Sequence, residues 1–259
     1  MPMIDADGCL LNVSVEGRDG GPTLMLSNSL GTTMQMWEPQ MAALTKLFRV
    51  VRYDRRGHGK SGPAGTASME RYGKDVLAIL DDLNIDRVHW CGLSMGGMVG
   101  QWLGANAPER FDRIILSNTS SYYPDPTNWH NRIKAVQEGG LAAVADAVIA
   151  GWLTADFRER EPAVTAHLKA MLLASPVEGY LAACEALSTL DQRALLPKIK
   201  SQTLVIAGRH DMATPVAAGE YIRSQIPGAS LTILDAAHIS NVEQSHAFTD
   251  AVVGFLTQR

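Results

Sequence analysis

The segment CGLSMGG, residues 91–97, sets a serine between two glycines in a G-x-S-x-G pattern formed by Gly92, Ser94 and Gly96. A strand-like run, RVHWC, precedes it, and a helical pattern, GMVGQWLGANA, follows it. A strand-to-helix turn of this kind lifts a serine hydroxyl into an exposed, strained position. The glycines allow the cramped turn because no Cβ meets neighbouring backbone. The helix N-terminus favours negative charge developing close by. Ser94 is therefore a candidate nucleophile for acyl transfer, against the plainer reading of a serine in a structural turn.

A serine hydroxyl is a poor nucleophile without a base. Of the seven histidines, His238 sits best for that role. It lies in LTILDAAHISNVEQ, past a strand and before the last helical pattern. A loop there can reach the same end of the sheet as Ser94. His89 falls within the strand before Ser94, and His167 and His246 within helical patterns. His58 lies in a Gly-rich loop, where packing is the simpler role. The base needs an orienting acid. Asp211 follows TLVIAGRH, again a strand and then a turn, and lies between Ser94 and His238 in the chain. That order, Ser then acid then His, is the one this motif carries. Asp235, close to His238 on the same segment, is a weaker rival; Asp112 and Asp191 lack the strand-then-loop setting.

A tetrahedral oxyanion requires donors aimed at it. One is the backbone N–H after the nucleophile, that of Met95. A second is expected from a loop after an early strand. The stretch LMLSNSLGTT, residues 24–33, has that form: an apolar run stops in small, polar, bendable residues. Leu30 is the candidate donor there.

These loops need a sheet to hang from. Strand-like runs at residues 11–15, 23–26, 49–53, 87–91, 113–116, 203–207 and 231–234 alternate with helical patterns at 36–48, 69–83, 95–107 and 242–256. Such alternation predicts a mostly parallel central sheet covered by helices on both faces. Residues 120–197 break the alternation with helical patterns such as GLAAVADAVIAGWL and no strand. They are expected as a helical insertion over the carboxyl ends of the strands, with 1–119 and 198–259 forming the core domain.

Bulk properties narrow the function classes. The 259 residues are 46% apolar and 19% charged, ordinary for a globular chain with a sizeable core. A net charge of −4 offers no basic stripe for nucleic acid. No apolar run is long enough to span a membrane, and MPMIDADGCLLNV does not read as a signal peptide. Cys9, Cys91 and Cys184 are isolated, which predicts core thiols in a reducing cytoplasm rather than disulfides or a zinc site. No metal or organic cofactor is expected.

With these residues placed, the chain resembles the α/β-hydrolase fold over its whole length, through YDRRGHGKS and GLSMGG. More narrowly, LSNSLGT, MWEPQ and AHISNVEQ are similar to segments of the 3-oxoadipate enol-lactonases of the β-ketoadipate pathway, which act in aromatic catabolism. Many members of the fold carry His-Gly where Asn28-Ser29 stand here. The resemblance implies Ser94 as nucleophile, Asp211 as acid, His238 as base, Leu30 and Met95 as oxyanion donors, and residues 120–197 as a helical cap. It also implies a small-molecule lactone bearing a free carboxylate, hence a cation near the pocket. Arg132 in NWHNRIK is the candidate, with Trp129 as an apolar wall; Arg55 and Arg56 are alternatives. A carboxylesterase or C–C hydrolase of the same fold is the nearest rival, and a non-catalytic binding protein a more distant one.

Overall fold

The computed structural model describes residues 2–258. Strands β1 (Met3–Ala6), β2 (Cys9–Gly17), β3 (Thr23–Ser27), β4 (Arg49–Tyr53), β5 (Val88–Leu93), β6 (Phe111–Ser117), β7 (Gln202–Gly208) and β8 (Ser230–Leu234) form one eight-stranded sheet in the order β1-β2-β4-β3-β5-β6-β7-β8. β2 pairs antiparallel with β1 and β4, and every other neighbouring pair is parallel. Successive residues of a strand face opposite sides. β3 and β5 are buried at all but one position each, so both faces of the sheet centre are covered.

The cover comes from helices α1 (Glu38–Leu44), α2 (Met69–Asp82), α3 (Met95–Asn106), α9 (Val216–Gln225) and α11 (Ser245–Leu256). α3 packs on β5, β6 and α2; α9 packs on β7 and β8; α11 packs on β8 and α1. α2 shows why sequence and structure agree where they do. Ser68 caps it by accepting the Arg71 N–H at 3.0 Å, and Met69, Tyr72, Val76, Ile79 and Leu80 are buried along one face. α3 ends before Pro108, which cannot continue a helix. Between β6 and β7 lie α4 (Thr127–Gly139), α5 (Ala142–Trp152), α6 (Ala155–Arg160), α7 (Pro162–Leu173) and α8 (Val177–Ser188). No strand of the sheet falls there among the described residues; one isolated bridge, Tyr122 to Asp191, joins the two ends of the region. No single helix is long and apolar enough to cross a membrane.

Several local expectations change. Residues 36–48 are not one helix: a 3-10 turn, Met34–Trp37, leads into α1, which has Pro39 in its first turn and stops at Leu44. Residues 242–256 are also divided, into α10 (Ser240–Glu243) and α11. Gln244 between them has φ −122° and ψ 52°, outside the helical region. The side chains of Ser240, Asn241 and Glu243 are engaged by distant parts of the chain, at Asn118, Met36 and Thr154, which fixes α10 apart from α11. β1 and α9 lie outside the runs that the sequence pattern predicts. The Asp7-Gly8 turn, both residues at positive φ, is the hairpin signal that marks β1.

The loop after β4 carries much of the internal support. Arg56 and Asp75 form a bidentate buried pair, with Nε to Oδ2 and Nη2 to Oδ1 both at 2.6 Å. The fully buried His58 accepts the Gly31 N–H on Nε2 at 3.2 Å, which leaves the Nδ1 proton to face Arg56 O at 3.4 Å. Burial and the nearby Arg55 charge push His58 down to about 3, so the ring is neutral.

Removing one partner of a buried pair strands the other charge. Asp75→Asn should therefore cost about 3–5 kcal/mol of stability, read from urea unfolding. His58 gives a pH signature. The unfolded ring takes its proton near pH 6.5 and the folded one only near 3, so stability should fall as pH drops through that window. His58→Asn should show a shallower loss between neutral and acid pH than the parent protein; equal slopes would remove His58 as the cause.

Candidate active site

The carboxyl ends of β3, β5, β7 and β8 lie along one edge of the parallel sheet, and each delivers a piece of the site. From β5 the chain turns at Ser94, held at φ 56° and ψ −116°, before α3 begins. The turn is backbone against backbone. A Cβ on Gly92 would stand 2.2 Å from Gly96 O, and a Cβ on Gly96 would stand 2.2 Å from Ser27 O. Ser94 N–H donates to Ser117 O at 2.8 Å, and Thr119 Oγ1 donates to Ser94 O at 2.8 Å. These bonds hold the strained residue in place.

Asp211 follows β7 and His238 follows β8. The structure brings the three side chains together: Ser94 Oγ to His238 Nε2 is 2.8 Å, and His238 Nδ1 to Asp211 Oδ2 is 2.8 Å. Asp211 Oδ2 also accepts from Thr214 Oγ1 at 2.7 Å and Asn118 Nδ2 at 3.0 Å, while Oδ1 accepts the N–H groups of Ala213 and Thr214, each at 2.9 Å. Burial by itself would raise this carboxyl. The His238 charge and the converging donors outweigh it, so Asp211 stays below the usual carboxylate range. An ionised Asp211 fixes the His238 tautomer, leaving Nε2 free to accept a proton from Ser94.

The loop after β3 is held by several bonds. Ser29 N–H points at Met36 Sδ, 3.3 Å away, and Gly31 N–H goes to His58. Asn28 is gripped on both sides: its Nδ2 donates to Tyr53 O at 2.8 Å and its Oδ1 accepts from Trp37 Nε1 at 2.9 Å. Its carbonyl accepts from Arg55 Nη2 at 2.7 Å and Gly96 N–H at 3.1 Å. Among the described residues, the N–H groups of Leu30 and Met95 donate to no protein acceptor. Leu30 and Ser94 line one cavity, and Met95 begins the helix behind Ser94.

That cavity holds about 380 Å³. Its walls include Tyr123, Trp129, Arg132, Val148, Trp152 and Tyr180 from the region between β6 and β7, with Met212 and Ala213 beside the acid. Arg132 lies over the Trp129 ring, 5.0 Å from its centroid. It makes no ion pair among the described residues. The alternatives are placed elsewhere. Arg55 is buried with its Nη2 on Asn28 O, and Arg56 is paired with Asp75. Asp235 is exposed and pairs with His210 at 2.9 Å. Asp112 and Asp191 pair with Arg87 and Arg193. Among the described residues no group of three or more His, Cys, Asp or Glu could hold a metal ion. The three cysteines are free and buried, and burial raises the pKa of each.

Sequence reading missed Tyr123, Trp152, Tyr180, Thr214 and Asn118. The first three are single aromatics within helical or turn-rich stretches, and no local pattern tells a cavity wall from core. Thr214 and Asn118 are polar residues near strand ends, a signal that exists but is common.

Comparison with known proteins places the chain in a family. Residues 22–160 and 162–245 match the alpha/beta hydrolase fold family. The chain is 40% identical over 250 residues to 3-oxoadipate enol-lactonase 2 of Acinetobacter baylyi, covering 96% of this chain and 94% of the relative. It is 37% identical to enol-lactonase 1 of the same organism, again over 96% of this chain and 94% of the relative. The crystal structure of the enol-lactonase from Burkholderia xenovorans LB400 superposes with a TM-score of 0.97 at 44% identity, covering 99% of this chain and 100% of that one. A serine between two glycines, poised on a histidine and a buried aspartate at one edge of such a sheet, thus has its place among known proteins: the chain belongs to the alpha/beta hydrolase fold family.

Proposed function

We propose that this chain hydrolyses 3-oxoadipate enol-lactone to 3-oxoadipate through an acyl-enzyme on Ser94. The observation that carries the reading is the cavity itself. The Ser94–His238–Asp211 relay opens on one side, and a guanidinium without an ion-pair partner, Arg132, lies among its walls. The likeness to enol-lactonases over nearly the whole chain supports it.

The lactone carbonyl carbon takes the Ser94 oxygen while His238 Nε2 takes the hydroxyl proton. The oxyanion that forms meets the Leu30 and Met95 N–H groups. As the carbonyl re-forms, the ring C–O bond breaks and the electron pair leaves on an enolate oxygen. His238 returns its proton there, and the enol rearranges to a ketone. An enolate departs more readily than an alkoxide. The leaving group stays tethered and can attack backwards until it ketonises, so the cavity must hold the whole opened chain. Water then attacks the ester carbonyl, with His238 as base, and frees Ser94 and the dicarboxylate.

The carboxylate that the substrate carries before ring opening would face Arg132, with Trp129 as an apolar wall beneath the guanidinium. We take residues 120–197 as a helical cap that supplies this end of the pocket, on a core of 1–119 and 198–259. Three free, buried thiols fit a reducing cytoplasm.

The test is loss of the lactone's ultraviolet absorbance on adding purified protein, with kcat/KM compared on acyclic esters. A preference for the acyclic esters would favour a carboxylesterase instead. Ser94→Ala should lower kcat about a millionfold, as loss of a nucleophile does elsewhere. Arg132→Ala should raise KM for the anionic lactone about tenfold or more, the worth of one charge-assisted contact, and leave KM for a neutral ester unchanged. An unchanged KM for the lactone would remove Arg132 from the site.

A further inference from the structure

Asn118 follows β6, is 1% exposed and has φ 44°. Left-handed backbone suits asparagine, glycine and aspartate, and the Asn118 N–H donates to Ile206 O on β7 at 2.8 Å. Backbone shape alone would account for any of those three residues. It does not account for what the side-chain amide does. Nδ2 donates to Asp211 Oδ2 at 3.0 Å and to Ala237 O at 3.1 Å, and Oδ1 accepts from Ser240 Oγ at 2.5 Å. One buried amide therefore holds the acid and both sides of the base, since Ala237 precedes His238 and Ser240 follows it by two residues. Only a group that donates at one end and accepts at the other can do this.

We infer that Asn118 is a positioning residue for the acid–base pair, locking the Asp211 carboxylate and the His238 loop in one register across the ends of β6, β7 and β8. The inference rests on the serine-hydrolase reading above and extends it to a residue outside the relay. Asp211 Oδ2 receives three donors, from His238, Thr214 and Asn118. Each favours the ionised carboxylate that stabilises the imidazolium as the reaction proceeds. Titratable and charged groups near the pair include Tyr123 and Arg132, from the region after β6, and Glu243, which accepts the Ala237 N–H at 2.8 Å.

The experiment follows a simple activated ester, p-nitrophenyl acetate, from about pH 5 to 9, the range in which histidine changes charge. It compares the parent protein, Ser94→Ala, Asn118→Gly and Asn118→Asp. Both substitutions at position 118 tolerate the left-handed backbone, so a purely conformational role would survive them. Asn118→Gly should lower kcat about tenfold with KM nearly unchanged, as expected for losing a hydrogen bond to a charged group. Asn118→Asp puts a second carboxylate beside the relay. The added negative charge should hold the imidazolium to higher pH and move the acid limb of kcat/KM upward by about one unit or more. An unshifted acid limb in Asn118→Asp overturns the inference, including when Asn118→Gly proves too unstable to assay. Ester turnover that Ser94→Ala leaves intact would instead overturn the serine-hydrolase reading itself.

Discussion

Everything at the site depends on a backbone crossing with no room for a side chain. Ser94 stands at φ 56° because β5, α3 and the end of β3 approach one another where only hydrogen atoms fit. Two glycines make that approach sterically possible, and the bonds to Ser117 O and from Thr119 Oγ1 offset the strain of a non-glycine residue in this conformation. The same close packing sets Asn28 O against the Gly96 N–H, which ties the nucleophile turn directly to the loop beside it. Ser94 and the loop that carries the Leu30 N–H are thus parts of one close crossing rather than two loops that happen to meet.

Rigidity at such a site has a chemical purpose. Donors aimed in advance at a developing charge need no reorganisation when the charge appears. The loop after β3 is held by Arg55, His58, Trp37 and Met36, each occupied with a backbone or amide group of that loop. A neutral His58 can accept the Gly31 N–H; a protonated one could not, so the ring's deep burial is part of the support. On the other side, α10 is short because its side chains serve as struts. Asn241 reaches Met36 O at 2.8 Å, Glu243 reaches the Ala237 N–H and Thr154 Oγ1, and Ser240 reaches Asn118. The His238 loop is thereby joined to the segment after the loop that follows β3, to the start of α6 and to the end of β6.

The sheet edge carries Ser94, Asp211 and His238, and the helices between β6 and β7 supply much of the cavity wall. Fold alone does not decide what is cleaved. Tyr123, Trp129, Arg132, Val148, Trp152 and Tyr180 all come from that region, and they mix aromatic surface with one cation.

The meeting of Ser94, Asp211 and His238 was legible in the sequence because it depends on local patterns. A glycine-flanked serine after a strand, and an acid and a histidine each just past a later strand, are signals a few residues long, and the parallel topology brings all such loops to one edge. The core strands could be read for the same reason, since burial on both faces leaves continuous apolar runs. Less could be read where one local pattern serves two outcomes. Residues 242–256 look helical throughout, yet Gln244 breaks them because the polar side chains before it bond to distant elements. Arg55, Arg56 and Arg132 are indistinguishable as letters; one is buried on a carbonyl, one is paired with Asp75 and one is left facing the cavity. By itself the sequence determined which residues could react and at which end of the sheet they would stand. Only the tertiary structure decided which side chains support and surround them, because those contacts join residues far apart in the chain and leave no periodic trace.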